Sequence, residues 1–153
     1  MRLCKIDMMD VHYIYDKAKP IIDRHKNDDH VEIEIRLGRF NGTMFDTNVG
    51  KEAFTTVMRR LKKYDGWEKI VSTSQEVFYR ENDNTRITID DNTGDETVVQ
   101  KERIHNEDFK NNANLPFDFR ISVSKETPVS DVERTMDKKK MKERLSFVRK
   151  NLS

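Results

Sequence analysis

Between residues 31 and 38 the chain reads VEIEIRLG, and the alternation there is strict. Val31, Ile33, Ile35 and Leu37 share one side of a strand, leaving Glu32, Glu34 and Arg36 on the other. Upstream, residues 10–25 predict a helix or two short ones, with Pro20 kinking the run or opening the second. Residues 51–64, KEAFTTVMRRLKKY, give the clearest helical period, with Phe54, Val57, Met58 and Leu61 on one stripe and Asp65-Gly66 as the stop. The remaining segments predict strands at 69–81, 85–91, 96–104, 117–126 and 140–149. DDNTGDE makes a hairpin turn, and HNEDFKNNANLP and TPVSDVERTMDKK are longer polar connections. A strand meander with one or two helices points to an antiparallel sheet or barrel.

The later strands repeat the alternation of the first. In TRITID, Arg86, Thr88 and Asp90 oppose Ile87 and Ile89. In FRISVSKE, Arg120, Ser122, Ser124 and Glu126 oppose Ile121 and Val123. In KKMKERLSF, Lys140, Lys142, Arg144 and Ser146 oppose Met141, Leu145 and Phe147. VVQKERI alternates less cleanly, with Lys101 and Arg103 on one face. The segment 131–152 also has a rival reading, because its helix propensity is high and its apolar spacing suits a helix.

Charge is sorted by strand. The first polar face is mainly acidic, whereas the later ones are rich in Lys and Arg. Solvated faces usually mix signs along each strand, so this segregation suits polar faces that look into an enclosed site. Composition agrees, since 37% of the 153 residues are charged and only 35% are hydrophobic. Either most elements have one solvated face or the interior holds charge.

A formal net charge of +1 gives no overall basic field for nucleic acid, so such binding needs a local patch. Cys4 is the single cysteine, which excludes an internal disulfide and fits a reducing compartment. No signal-like start or membrane-spanning run is present. Asn41-Gly42-Thr43 matches a glycosylation sequon but reads better as a turn. His12, His25, His30 and His105 lack paired ligand spacing, which argues against zinc. Neither a glycine-rich phosphate loop nor a nucleophilic serine elbow occurs. The remaining chemistry is that of carboxylates and bases on strands. Glu32 and Glu34 lie roughly 6.6 Å apart along one face, so both can converge on a hard divalent cation, Mg²⁺ or Mn²⁺. Lys142 and Arg144 repeat that spacing with opposite sign, as a polyphosphate requires.

EIEIRLG resembles the first-strand Glu-x-Glu-x-Lys signature of the tunnel triphosphatases, with Arg36 in the place of the lysine. TRITID, FDFRISVSKETPV and KMKERLSFV resemble the branch that removes the γ-phosphate from nascent RNA ends, the fungal, protist and large-DNA-virus capping triphosphatases. The matches run from residue 31 to about 149. The resemblance implies an α+β fold: an antiparallel β-barrel, the triphosphate tunnel, with helices packed outside. Residues 1–153 would form a single tunnel domain, with 1–30 a helical N-terminal segment and 31–153 the tunnel strands plus the 51–64 helix.

It also implies roles. Glu32 and Glu34 correspond to metal ligands for Mg²⁺ or Mn²⁺. Arg86, Lys101, Lys142 and Arg144 correspond to phosphate-binding bases, which Lys140 and Arg36 join. Glu126 corresponds to the carboxylate that orients the attacking water. Lys101 is the residue for which Arg103 could substitute by a register shift. The implied partners are a 5′-triphosphate RNA end and a guanylyltransferase domain or subunit, with neither membrane nor DNA. The implied setting is intracellular, in a nucleus, a viral factory or a virion. The family's tunnel ends in a further Glu-x-Glu strand that has no counterpart here, so the chain is expected to lack its final strand or strands. Two rivals remain: a tunnel enzyme for small polyphosphates, and a non-catalytic module that binds a polyphosphate, an RNA end or a capping partner.

Overall fold

The computed structural model describes residues 8–110, 117–130 and 133–149, with side chains from residue 12 onward. Cys4 lies outside the described residues. Two helices and seven strands follow in the order α1 (Met8–His25), β1 (Val31–Asn41), β2 (Met44–Asp46), α2 (Lys51–Lys63), β3 (Lys69–Arg80), β4 (Thr85–Asp90), β5 (Glu96–Phe109), β6 (Asp118–Pro128) and β7 (Lys138–Val148). The strands form one sheet in the order β2-β1-β6-β5-β4-β3-β7. The pairings of β1 with β2 and β6, of β3 with β4 and β7, and of β4 with β5 are antiparallel. The class is therefore α+β, as the resemblance implies. The chain divides into two compact units, the described parts of Met1–Thr56 with Arg103–Lys125, and of Val57–Glu102 with Glu126–Ser153.

In the first unit, α1 is one helix with Pro20 inside it. Ile14, Ala18 and Ile21 recur at helical spacing and pack on Phe109, Phe119, Ile121, Ile33 and Leu37. The rings of Phe109 and Phe119 stack at 4.5 Å. Ile121 and Val123 are fully buried, each stabilising the fold by about 1.5–3 kcal/mol relative to exposure. β1 and β6 pair from Val31↔Lys125 to Gly38↔Asp118. Gly38 is required at its position, because a Cβ there would stand 2.4 Å from the Asp46 carbonyl oxygen and 2.7 Å from the Phe45 ring. The Asn41-Gly42-Thr43 sequon is a turn, with Gly42 at φ +61° joining β1 to β2.

Three sequence expectations need correction, and one rival reading falls away. β5 runs on to Phe109 rather than ending near residue 104. Polar residues mask the strand's extension, but Phe109 anchors it in the core at 3% exposure. Ile35, expected on the buried side of β1, is 58% exposed, although Ile33 and Leu37 pack inward. Phe54 is 59% exposed, and α2 has no fully buried residue. The 131–152 segment is a strand where it is paired: β7 joins β3 from Lys69↔Val148 to Tyr79↔Lys138. That continuous ladder overrides the local helical preference.

In the second unit, tight turns hold the strand ends. Between β3 and β4, Arg80 forks onto Asp83 through Nε–Oδ1 at 3.0 Å and Nη2–Oδ2 at 2.7 Å. That contact, together with hydrogen bonds from Thr85, holds the Asp83 carboxyl well below the usual carboxylate range. Between β4 and β5, Asp90 Oδ1 accepts from the backbone N–H groups of Asn92 and Thr93, and Gly94 supplies φ +74°. The DDNTGDE turn is therefore as expected.

Candidate phosphate and metal site

The acidic candidates belong to the first unit. Glu32 lies opposite Ser124 and Glu34 opposite Ser122, so these side chains share a face of the β1–β6 pair. That face is not bulk solvent: Ser122 is 6% and Ser124 4% exposed, beside the fully buried Ile121 and Val123. β6 is thus buried on both faces from Ile121 to Ser124, whereas the Glu34 and Arg36 side chains beside it keep 42% and 33% exposure. Ser124 Oγ donates to Glu32 Oε2 at 3.4 Å. Arg36 Nη2 donates to Ser122 Oγ at 2.9 Å, and its Nε is 3.6 Å from Glu34 Oε2. That Nε is buried and has no hydrogen-bond partner.

Arg36 also lies opposite Arg120, a like-charge pair. Asp108 offsets it by taking Arg120 Nε at 2.6 Å and Nη2 at 3.1 Å. The bonded guanidinium lowers the Asp108 carboxyl, and the carboxylate raises Arg120 in return. Two carboxylates and hydroxyl neighbours form an oxygen-only donor set, whose chemistry fits a hard Mg²⁺-like ion that keeps several waters. Among the described residues no group of three or more His, Cys, Asp or Glu side chains is arranged to hold a metal. A separate cleft of about 250 Å³ in the same unit, lined by Pro20, Ile21, Arg24, His25, Ile104 and His105, contains none of the sequence candidates.

The basic candidates other than Arg36 belong to the second unit, and the strand register puts them on one face. Arg86 lies opposite Tyr79 on one side and Val99 on the other, and Lys101 follows Val99 at the same parity. Lys140, Lys142 and Arg144 lie opposite Val77, Gln75 and Thr73, which share Tyr79's side of β3. Glu143 falls on the reverse face, opposite Ser74. Arg86, Lys142 and Lys140 approach the Tyr79 ring at 5.2, 5.4 and 5.8 Å from its centroid. Arg144 Nη1 donates to Gln75 Oε1 at 3.2 Å. Lys101 Nζ donates to Glu126 Oε1 at 2.9 Å, with both side chains half-buried.

Two features here lie outside the sequence expectations. Tyr79 joins the basic face, as its parity with Thr73, Gln75 and Val77 on β3 requires. Lys138 is inside β7 rather than before it, with its ammonium paired to Glu81. That contact raises Lys138 above the ordinary lysine range.

The fold is one already known in RNA triphosphatases. The chain is similar to the structure of S. pombe Pct1 RNA triphosphatase in complex with the Spt5 CTD, with a TM-score of 0.66 and 20% identity over 92% of this chain and 70% of that one. It is likewise similar to the structure of S. pombe Pct1 RNA triphosphatase alone, with a TM-score of 0.61 and 22% identity over 87% and 66% of the two chains. No curated protein sequence matches it significantly. The chain belongs to the mRNA triphosphatase family, described as the mRNA capping enzyme, beta chain, whose model matches residues 69–153.

Proposed function

We propose that this chain is a metal-dependent hydrolase of 5′-triphosphate RNA ends, acting at the first step of mRNA capping. The observation that carries the reading is the face of β4, β5 and β7 on which Arg86, Lys101, Lys140, Lys142 and Arg144 stand together, in a chain of the capping triphosphatase family. Several fixed cations on one surface suit a ligand with several anionic groups in a row, and a triphosphate is such a ligand.

Glu32 and Glu34 would hold Mg²⁺ or Mn²⁺. When bound, the ion supplies positive charge to the phosphate oxygens. The basic side chains, with Arg36, bind and orient the triphosphate, while Glu126 orients the attacking water. The water oxygen bonds to the γ-phosphorus, and the bond from that phosphorus to the β–γ bridging oxygen breaks. The products are a diphosphate-ended RNA and inorganic phosphate. The partners of this reading are the RNA end and a guanylyltransferase domain or subunit that takes the diphosphate end. No helix among the described residues is long and apolar enough to cross a membrane.

The test is phosphate release from triphosphate-ended RNA and from tripolyphosphate, with Mg²⁺, with Mn²⁺ and with chelator. Metal-dependent release from RNA supports the reading, and preference for tripolyphosphate favours a small-polyphosphate enzyme. Binding of either ligand with no release in any metal would favour a non-catalytic binding module.

A further inference from the structure

Three cations converge on one aromatic ring in the second unit. Arg86 Cζ is 5.2 Å, Lys142 Nζ 5.4 Å and Lys140 Nζ 5.8 Å from the Tyr79 centroid. The register explains the convergence, since Tyr79 lies directly opposite Arg86 on β4 and opposite Lys138 on β7, two residues before Lys140.

We propose that Tyr79 is a positioning residue, whose ring gathers Arg86, Lys140 and Lys142 into the spacing that a polyphosphate requires. This inference rests on the phosphate-binding reading of that face.

The physical argument concerns the free protein. Like charges repel, and long side chains on neighbouring strands would spread into solvent without a compensating anion. An aromatic face carries negative quadrupole density and attracts a cation within about 6 Å of its centroid. The ring thus acts as a neutral stand-in for the anion while the site is empty. Side chains already gathered lose less freedom when the ligand arrives, so the ring raises affinity without touching phosphate. A purely apolar residue of similar size would fill the space but would not hold the charges.

The experiment uses the full 153-residue chain and tripolyphosphate as the probe, measured calorimetrically in chelator so that no metal contributes. Tyr79→Phe keeps the ring and should retain wild-type affinity. Tyr79→Leu should bind about three- to tenfold more weakly, the scale of losing such cation–ring contacts. Because Tyr79→Leu also changes shape, a second series replaces Tyr79 with phenylalanine carrying progressively more ring fluorines. Affinity should fall stepwise along that series while the thermal midpoint stays constant, which a packing role would not produce. A flat fluorine series, with the wild type binding normally, overturns the inference alone. Failure of the wild type to bind tripolyphosphate overturns the phosphate reading of the face and the inference with it.

Discussion

Lys101 and Glu126, assigned by resemblance to a phosphate contact and a water-orienting carboxylate, form an ion pair at 2.9 Å. Each partner therefore constrains the other. A water held by Glu126 and a phosphate held by Lys101 would be brought close by that contact, as in-line attack requires. Glu126→Gln is expected to reduce turnover about a hundredfold, the order that follows when a reacting group loses its positioning. Tripolyphosphate affinity should hold or tighten, because a negative charge beside the cations is gone. An equal loss of binding and turnover, read from steady-state kinetics alongside calorimetry, would limit Glu126 to holding Lys101.

Glu32→Gln and Glu34→Gln should each abolish metal-dependent phosphate release and weaken Mn²⁺ binding. Any change in the thermal midpoint of the metal-free protein should be small, because the relieved repulsion between the two carboxylates offsets the weakened Glu34–Arg36 contact at 3.6 Å. Full activity in Glu32→Gln would remove the metal assignment.

Lys142→Ala and Arg144→Ala are expected to reduce triphosphate turnover about tenfold or more, as for loss of one charge-assisted contact. Arg144→Lys should also be impaired, because an ammonium lacks the planar fork. Glu143→Ala, on the reverse face of β7, should be near neutral. Parallel kinetics of the four variants would expose any error in the face assignment.

Ile121→Ala should destabilise the first unit by about 2–5 kcal/mol, since a fully buried branched side chain leaves a cavity behind. Urea unfolding at constant slope checks this. A change below 1 kcal/mol would contradict the tight packing around Ile121.

Acid should weaken the β3–β4 turn. The Arg80 contact depresses Asp83 in the folded chain, so the unfolded chain binds its proton more readily. The stabilisation is present above the unfolded carboxyl value of about 4 and is lost as pH falls through the lower folded value. Asp83→Asn should therefore flatten the acid limb of a midpoint-versus-pH curve below pH 4. Carboxyl carbon shifts in an NMR titration give the folded midpoint directly.

The alternating segments were legible because a half-buried strand writes its two faces into the sequence. β1, β4, β6 and β7 lie where TRITID, VEIEIRLG and the later runs put them. β7 needed the resemblance as well, since its lysines and Met141 favour a helix until β3 supplies a ladder. Ile35 and Phe54 show the limit of periodicity: the pattern says which side a residue takes, not whether another element covers that side. Side-chain pairings were less legible still. Whether Lys101 meets phosphate or Glu126, and whether Lys142 rests on Tyr79, depends on neighbours brought in by register.

The pairing of β7 with β3 also sets an order of events in folding. Arg144 and Gln75 are 69 residues apart in the chain, whereas β3, β4 and the start of β5 are joined by short turns. Local hairpins form in microseconds, but distant pairings must first close a long loop. Arg86 and Tyr79 can therefore meet early, while Lys140, Lys142 and Arg144 take their places only when β7 docks on β3. A nascent chain would carry Arg86 and Lys101 before it carries the three cations of β7, and ligand affinity should appear with the slowest folding phase rather than with the first formation of sheet.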